Sequence, residues 1–190
     1  MKVPEKNAGG GAGVDGYGKA YDGGTAPPPH PTGTVNAVCV DYVDMGDVEC
    51  DVYGKPGEKK LEHRAKFVYQ TAKTMPDGRR YLLAFKPFGV KVSLHEKASF
   101  RQHLEAFAGR TFAVGEDIEP EAFVGQPCVL IVTHSKNQDG TRTYANIESV
   151  GPHMDGLPVL APEGYVRIKD RPNGAPALAA SETETDEVPF

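Results

Sequence analysis

Apolar residues between positions 34 and 150 recur with two different periods, and the change from one to the other divides this stretch into elements. Val35, Ala37, Cys39 and Asp41 alternate with Asn36, Val38, Val40 and Tyr42; beyond Gly46, Val48, Cys50 and Val52 alternate with Asp47, Glu49 and Asp51. Two period-two runs joined at a glycine predict one long strand bent at a bulge. A turn over Gly54 to Lys60 leads into a second strand, His63 to Lys73, with Ala65, Phe67 and Tyr69 on one face and Arg64, Lys66, Val68 and Gln70 on the other. Met75-Pro76-Asp77-Gly78 is turn chemistry, so the strand from Arg79 onward returns antiparallel. Pro87 and Gly89 in its second half predict an edge position or a second bulge.

From Ser93 the spacing becomes helical. Leu94, Phe100, Leu104 and Phe107 fall on one stripe and Gly109 is a stop, which predicts an amphipathic helix of roughly three to four turns. An acidic connector follows from Arg110 to Gly125, with Phe123 on a short helical turn. Cys128 to Thr133 is a continuous apolar run, as a central strand would be, and Asn137-Gln138-Asp139-Gly140 turns it into an alternating fifth strand, Arg142 to Val150. Three strands, a helix and two strands is the order of an all-β OB-fold, a five-stranded barrel with its helix between strands 3 and 4, whose binding face lies across strands 2 and 3.

The flanks read differently. Residues 1–33 are Gly- and Pro-rich with little to bury, which predicts a disordered arm; 34–152 are the OB domain, 153–180 an extended linker packed in part on the barrel, and 181–190 an acidic tip. Nothing in the chain is apolar for long enough to span a bilayer. Met1-Lys2-Val3-Pro4 leads toward glycines and not into an apolar signal region, so the cytoplasm is the expected compartment.

Charge sharpens this picture. Residues 55–110 hold 13 lysines and arginines against five acids, a local net of +8 in a chain whose formal net charge is −5. This basic block includes the predicted hairpin of strands 2 and 3, where aromatic rings lie among the cations. Single-stranded nucleic acid needs that combination, because cations neutralise phosphates and flat rings stack on unpaired bases. Lys66, Lys73, Arg79, Arg80, Lys86 and Lys91 are the candidate phosphate contacts, with Tyr69, Tyr81, Phe85 and Phe88 as candidate stacking rings; strand alternation exposes about half of such rings.

The last residues, Thr185-Asp186-Glu187-Val188-Pro189-Phe190, resemble the acidic tip of bacterial single-stranded DNA-binding proteins, which ends Asp-Asp-Asp-Ile-Pro-Phe. The resemblance implies that Asp186, Glu187, Val188, Pro189 and Phe190 recruit replication and repair proteins of a host or phage. Ser93-Leu94-His95-Glu96-Lys97-Ala98-Ser99, Leu104-Glu105-Ala106-Phe107 and Gly109-Arg110-Thr111-Phe112 are similar to the helix region of small OB-fold proteins of phages and prophages. Val38-Cys39-Val40-Asp41 and Tyr144-Ala145-Asn146-Ile147 resemble their first and last strands. This second resemblance covers roughly residues 33 to 152 and implies a phage-type single-stranded DNA-binding protein acting in replication or recombination in the host cytoplasm. The chain has no Trp, so any stacking falls to Tyr and Phe.

Other chemistry finds little support. Cys39, Cys50 and Cys128 are odd in number and lack C-x-x-C spacing, against both a disulfide framework and a zinc site. His95-Glu96 resembles the start of a zinc-protease helix, but Ser99 stands where the second His belongs. Asp41, Asp44, Asp47, Glu49 and Asp51 can be imagined as a nuclease metal cluster, yet nearly alternating acids are more simply a solvated strand edge. No nucleophile, base and orienter recur at recognisable spacing. The expectation is a non-enzymatic binder of single-stranded DNA with no cofactor, no metal and no membrane partner, with a homo-oligomer left open. The competing expectation is a protein-interaction adaptor whose barrel is structural.

Overall fold

The computed structural model describes residues 28–52, 54–55 and 57–171. Five strands, β1 (Gly33–Asp51), β2 (Lys59–Thr74), β3 (Arg80–Lys91), β4 (Pro127–Lys136) and β5 (Thr143–Pro152), form one antiparallel sheet in the order β3-β2-β1-β4-β5. One helix, α1 (Ser99–Ala108), lies between β3 and β4 in the chain.

β1 is long because it serves two neighbours. Gly33 to Val38 pair with β4, and Ala37 to Asp51 pair with β2. Its inner face contributes Val35, Ala37 and Cys39 to a core completed by Ala65, Phe67 and Tyr69 of β2, Leu83 and Phe85 of β3, Cys128, Leu130 and Val132 of β4, and Ile147 and Val150 of β5. Phe100, Leu104 and Phe107 of α1 close over it. The two edge strands approach each other and α1 packs against both, but no ladder joins β3 to β5. The sheet is therefore open, where the sequence predicts a barrel.

Two further expectations are corrected. The ladder between β1 and β2 shifts between Cys39 and Asp41, so simple alternation fails there. Asp41 moves to the outer face, and Tyr42 turns inward against Phe67, with ring centroids 5.1 Å apart. The helix also begins six residues later than Ser93. Ser93 Oγ accepts from the His95 backbone N–H at 3.3 Å, and His95 Nδ1 accepts from that of Lys97 at 3.2 Å. Side chains that bond their own backbone in this way favour turns over helix, and Leu94 is left exposed. Within α1 the buried stripe is Phe100, His103, Leu104 and Phe107. It ends at Gly109, whose φ of 67° is left-handed and whose N–H reaches the Ala106 carbonyl at 3.3 Å.

After β5 the chain doubles back over the outer face of β1, β2 and β3. There Val38, Val40 and Val68, with Val43 and Leu82, are covered by Leu160 and Tyr165. This strap ends in a 3-10 turn, Ile168–Asp170.

Candidate nucleic-acid interface

The β2–β3 hairpin is regular from Gln70↔Leu82 to Phe67↔Phe85, after a first shift between Thr74 and Gln70, and it resumes at Ala65↔Val90. In the interval Lys66 alone faces Lys86, Pro87, Phe88 and Gly89, so four residues of β3 bulge outward. Local chemistry dictates this. Lys86 has φ of 49°, Pro87 has no N–H to give a ladder, and Gly89 has φ of 79°. A Cβ at Gly89 would lie 2.7 Å from Met45 Sδ and 3.2 Å from Arg64 Cβ. Arg64 braces the bulge from β2, donating from Nη1 to the carbonyls of Phe88 (3.2 Å) and Gly89 (3.1 Å), while Glu62 holds its Nη2 at 3.2 Å.

At the crest of this braced bulge the Phe88 side chain stands 85% exposed. Burying such a ring would stabilise the fold by about 1.5–3 kcal/mol. Lys86 and Lys91 are exposed beside it and Lys66 is half-buried across the hairpin; among the described residues none of the three makes an ion pair. Lys86 Nζ lies 5.9 Å from the centre of the Phe85 ring.

The other three candidate rings are corrected to core or near-core positions. Tyr69 is fully buried, with its hydroxyl 2.6 Å from Nε2 of His103. Phe85 stacks on the His103 ring at 3.7 Å. Tyr81 is buried with Met75, its ring edge-on to His30 at 5.0 Å. None presents a face to a base, so one ring of four is exposed where alternation predicts about half.

The basic residues fall into two groups with the strap between them. Lys66, Lys86 and Lys91 surround the bulge. Lys73, exposed, and Arg79 and Arg80 lie toward the hairpin turn. Arg79 is held by Asp77, with Nη2 to Oδ2 at 2.6 Å, and Arg80 Nε meets Glu163 Oε2 at 2.9 Å.

Residues missed in the sequence reading fix the strap. Asp41 is 1% exposed and its carboxylate takes three donors: Arg167 Nε at 2.9 Å, the Tyr165 hydroxyl at 3.0 Å and the Ile168 N–H at 2.8 Å. Burial and the neighbouring Asp41 push the Tyr165 hydroxyl far above its usual range, so it stays a donor. Burial opposes charge on Arg167, but its bonds to Asp41 and to Glu121, the latter at 2.7 Å, prevail and raise its pKa. Gln70 grips one strap residue through the backbone, its amide nitrogen reaching the Glu163 carbonyl at 2.6 Å and its oxygen taking the Glu163 N–H at 2.8 Å. An acid inside the apolar run Val38–Val43 was the available sequence signal.

The five acids of β1 do not converge. Asp41 is in the strap contact; Asp44 and Asp47 face His63 at 3.0 and 3.5 Å; Glu49 and Asp51 face Lys59 at 3.9 and 2.7 Å. Among the described residues no group of three or more His, Cys, Asp or Glu is placed to hold a metal ion. Nor, among them, is any helix long and apolar enough to cross a membrane. Asp186, Glu187, Val188, Pro189 and Phe190, the proposed partner-binding tip, lie outside the described residues. No protein-family model matches the chain, and a comparison with curated proteins finds no similar sequence.

Proposed function

We propose that this chain is a non-enzymatic single-stranded DNA-binding protein of the OB class, working in phage-type replication or recombination in a host cytoplasm. The observation that carries the reading is the bulge: a braced backbone holds an aromatic ring in water among Lys66, Lys86 and Lys91. A ring that forgoes burial on a rigid support is suited to stacking on an unpaired base, and the lysines are suited to the phosphates on either side. The strand order β3-β2-β1-β4-β5 with a helix between β3 and β4 supports the OB assignment, in a form whose barrel is not closed by hydrogen bonds. The acidic tip supports recruitment of replication and repair proteins through Asp186 to Phe190.

Titration of labelled oligo-dT tests this. Phe88→Ala should weaken binding by about 1–3 kcal/mol without unfolding the domain. Lys86→Ala with Lys91→Ala should lower the slope of log K against log salt by about 1.4, at roughly 0.7 for each phosphate no longer neutralised. Unchanged affinity in the first variant and an unchanged slope in the second would remove the interface.

One observation favours a second reading, an adaptor that binds no nucleic acid: the strap covers the middle of the β1–β2–β3 outer face with protein. Absence of any oligo-dT binding by the intact chain would select it.

A further inference from the structure

Arg80 on β3 is the candidate phosphate contact nearest the strap, and its guanidinium already holds two oxygens. Nε meets Oε2 of Glu163 at 2.9 Å, and Nη1 donates to the Ala161 carbonyl at 2.9 Å. Two acceptors on one guanidinium fork reproduce the way Arg takes a phosphate, with a strap carboxylate in the place of a phosphate oxygen. The rest of the strap is fastened elsewhere, by Asp41 and by the grip of Gln70 on the Glu163 backbone. The Glu163 side chain, by contrast, is 68% exposed. An exposed pair of this kind is weak and screened by salt, whereas the Gln70 and Asp41 contacts are buried or partly so.

We infer that Glu163 is an intramolecular gate on an oxyanion subsite at Arg80: its carboxylate occupies the guanidinium in the free protein and swings away when a phosphate of a bound strand takes its place. The strap backbone stays where Gln70 holds it, so the exchange needs one side-chain rotation and no opening of the fold. This rests on the single-stranded DNA reading above and extends that site from the Phe88 bulge past the strap to the hairpin turn. It also gives Glu163 a regulatory role: whatever neutralises that carboxylate opens the subsite.

The experiment is a double-mutant cycle on the full chain, reading labelled oligo-dT affinity at low and high salt for the wild type, Glu163→Gln, Arg80→Gln and the double variant. Glu163→Gln keeps the size and the backbone contacts of residue 163, so the urea midpoint should hold. Its affinity should rise about two- to five-fold at low salt, the range expected for release of one exposed ion pair, and the gain should fade at high salt. In the Arg80→Gln background the same change should do nothing. Equal affinities for the wild type and Glu163→Gln would overturn the gate and leave the DNA reading standing. A gain that persists without Arg80 would also overturn it, as a general loss of negative charge. Absence of binding by all four proteins would overturn both.

Discussion

His103 sits on the buried stripe of α1 with the Tyr69 hydroxyl 2.6 Å from its Nε2 and the Phe85 ring stacked on it at 3.7 Å. Burial raises the Tyr69 pKa well above its normal value and lowers that of His103 to about 3, so both groups are neutral across their hydrogen bond. Burial also lowers the pKa of His30, which is 2% exposed; Nδ1 lies 2.6 Å from the Pro31 carbonyl, Nε2 is 3.0 Å from Thr71 Oγ1, and Lys73 and His134 add repulsion to its charged form. Both histidines bind a proton more readily when unfolded. Their contribution is complete above an unfolded pKa near 6.5 and is lost as pH falls below it, down through the depressed folded values. Between pH 6.5 and 5 the urea-unfolding free energy should fall at up to about 1.4 kcal/mol per pH unit from His103, with a further contribution of the same sign from His30. His103→Gln, which keeps a hydrogen-bond partner for Tyr69, should be less stable at neutral pH and should flatten that slope. An unchanged slope would show that the buried imidazole is not its source.

At the scale of elements, the fold was legible wherever periodicity was unbroken and failed where an inserted residue changed the phase. The strands were readable from alternation, and Pro87 and Gly89 announced the β3 bulge. That the bulge would put Phe88 outside and leave Phe85 inside follows from pairing Lys66 against four residues, a tertiary fact. Val40 is the counterpart in β1: with the ladder shifted beside it, Asp41 becomes the anchor of a strap 124 to 127 positions away in sequence. No local pattern announces such a partner. Tyr69 and Phe85 were credible stacking rings for the same reason, because a strand pattern gives alternating faces but not which one α1 covers. The bulge supplies its own test. Gly89→Ala places a Cβ in left-handed backbone against Met45 and Arg64, so it should destabilise the domain by about 1–3 kcal/mol. By re-aiming Phe88 it should also weaken oligo-dT binding nearly as much as Phe88→Ala does. Wild-type affinity in a folded Gly89→Ala protein would show that the ring acts, if at all, without its support.

Charge organises the whole molecule. A chain at −5 concentrates a net +8 into residues 55–110, and the strap residue Glu163, from outside that block, offsets part of it at Arg80. The described chain ends at Arg171, whose guanidinium lies 5.4 Å from the centre of the Tyr165 ring on the outer face. From there residues 172–190 can extend at most about 3.6 Å each, roughly 70 Å in all, so the acids of 181–190 are within reach of the Phe88 bulge. Four acids near Lys66, Lys86 and Lys91 would compete with phosphate, and deletion of 181–190 should strengthen oligo-dT binding modestly, most at low salt. The effect should add to that of Glu163→Gln, because the two carboxylate sources act at opposite sides of the strap. The terminal ring calls for a different measurement. On the proposed recruiting role, the Phe190 ring beside the carboxylates of Asp186 and Glu187 would enter a hydrophobic pocket ringed by Arg or Lys on a replication or repair protein. Intact protein should capture such partners from bacterial lysate, whereas Phe190→Ala and a chain lacking Phe190 should not, with oligo-dT affinity nearly unchanged because the acids remain. Equal capture by all three would leave residues 181–190 with electrostatic competition as their one role.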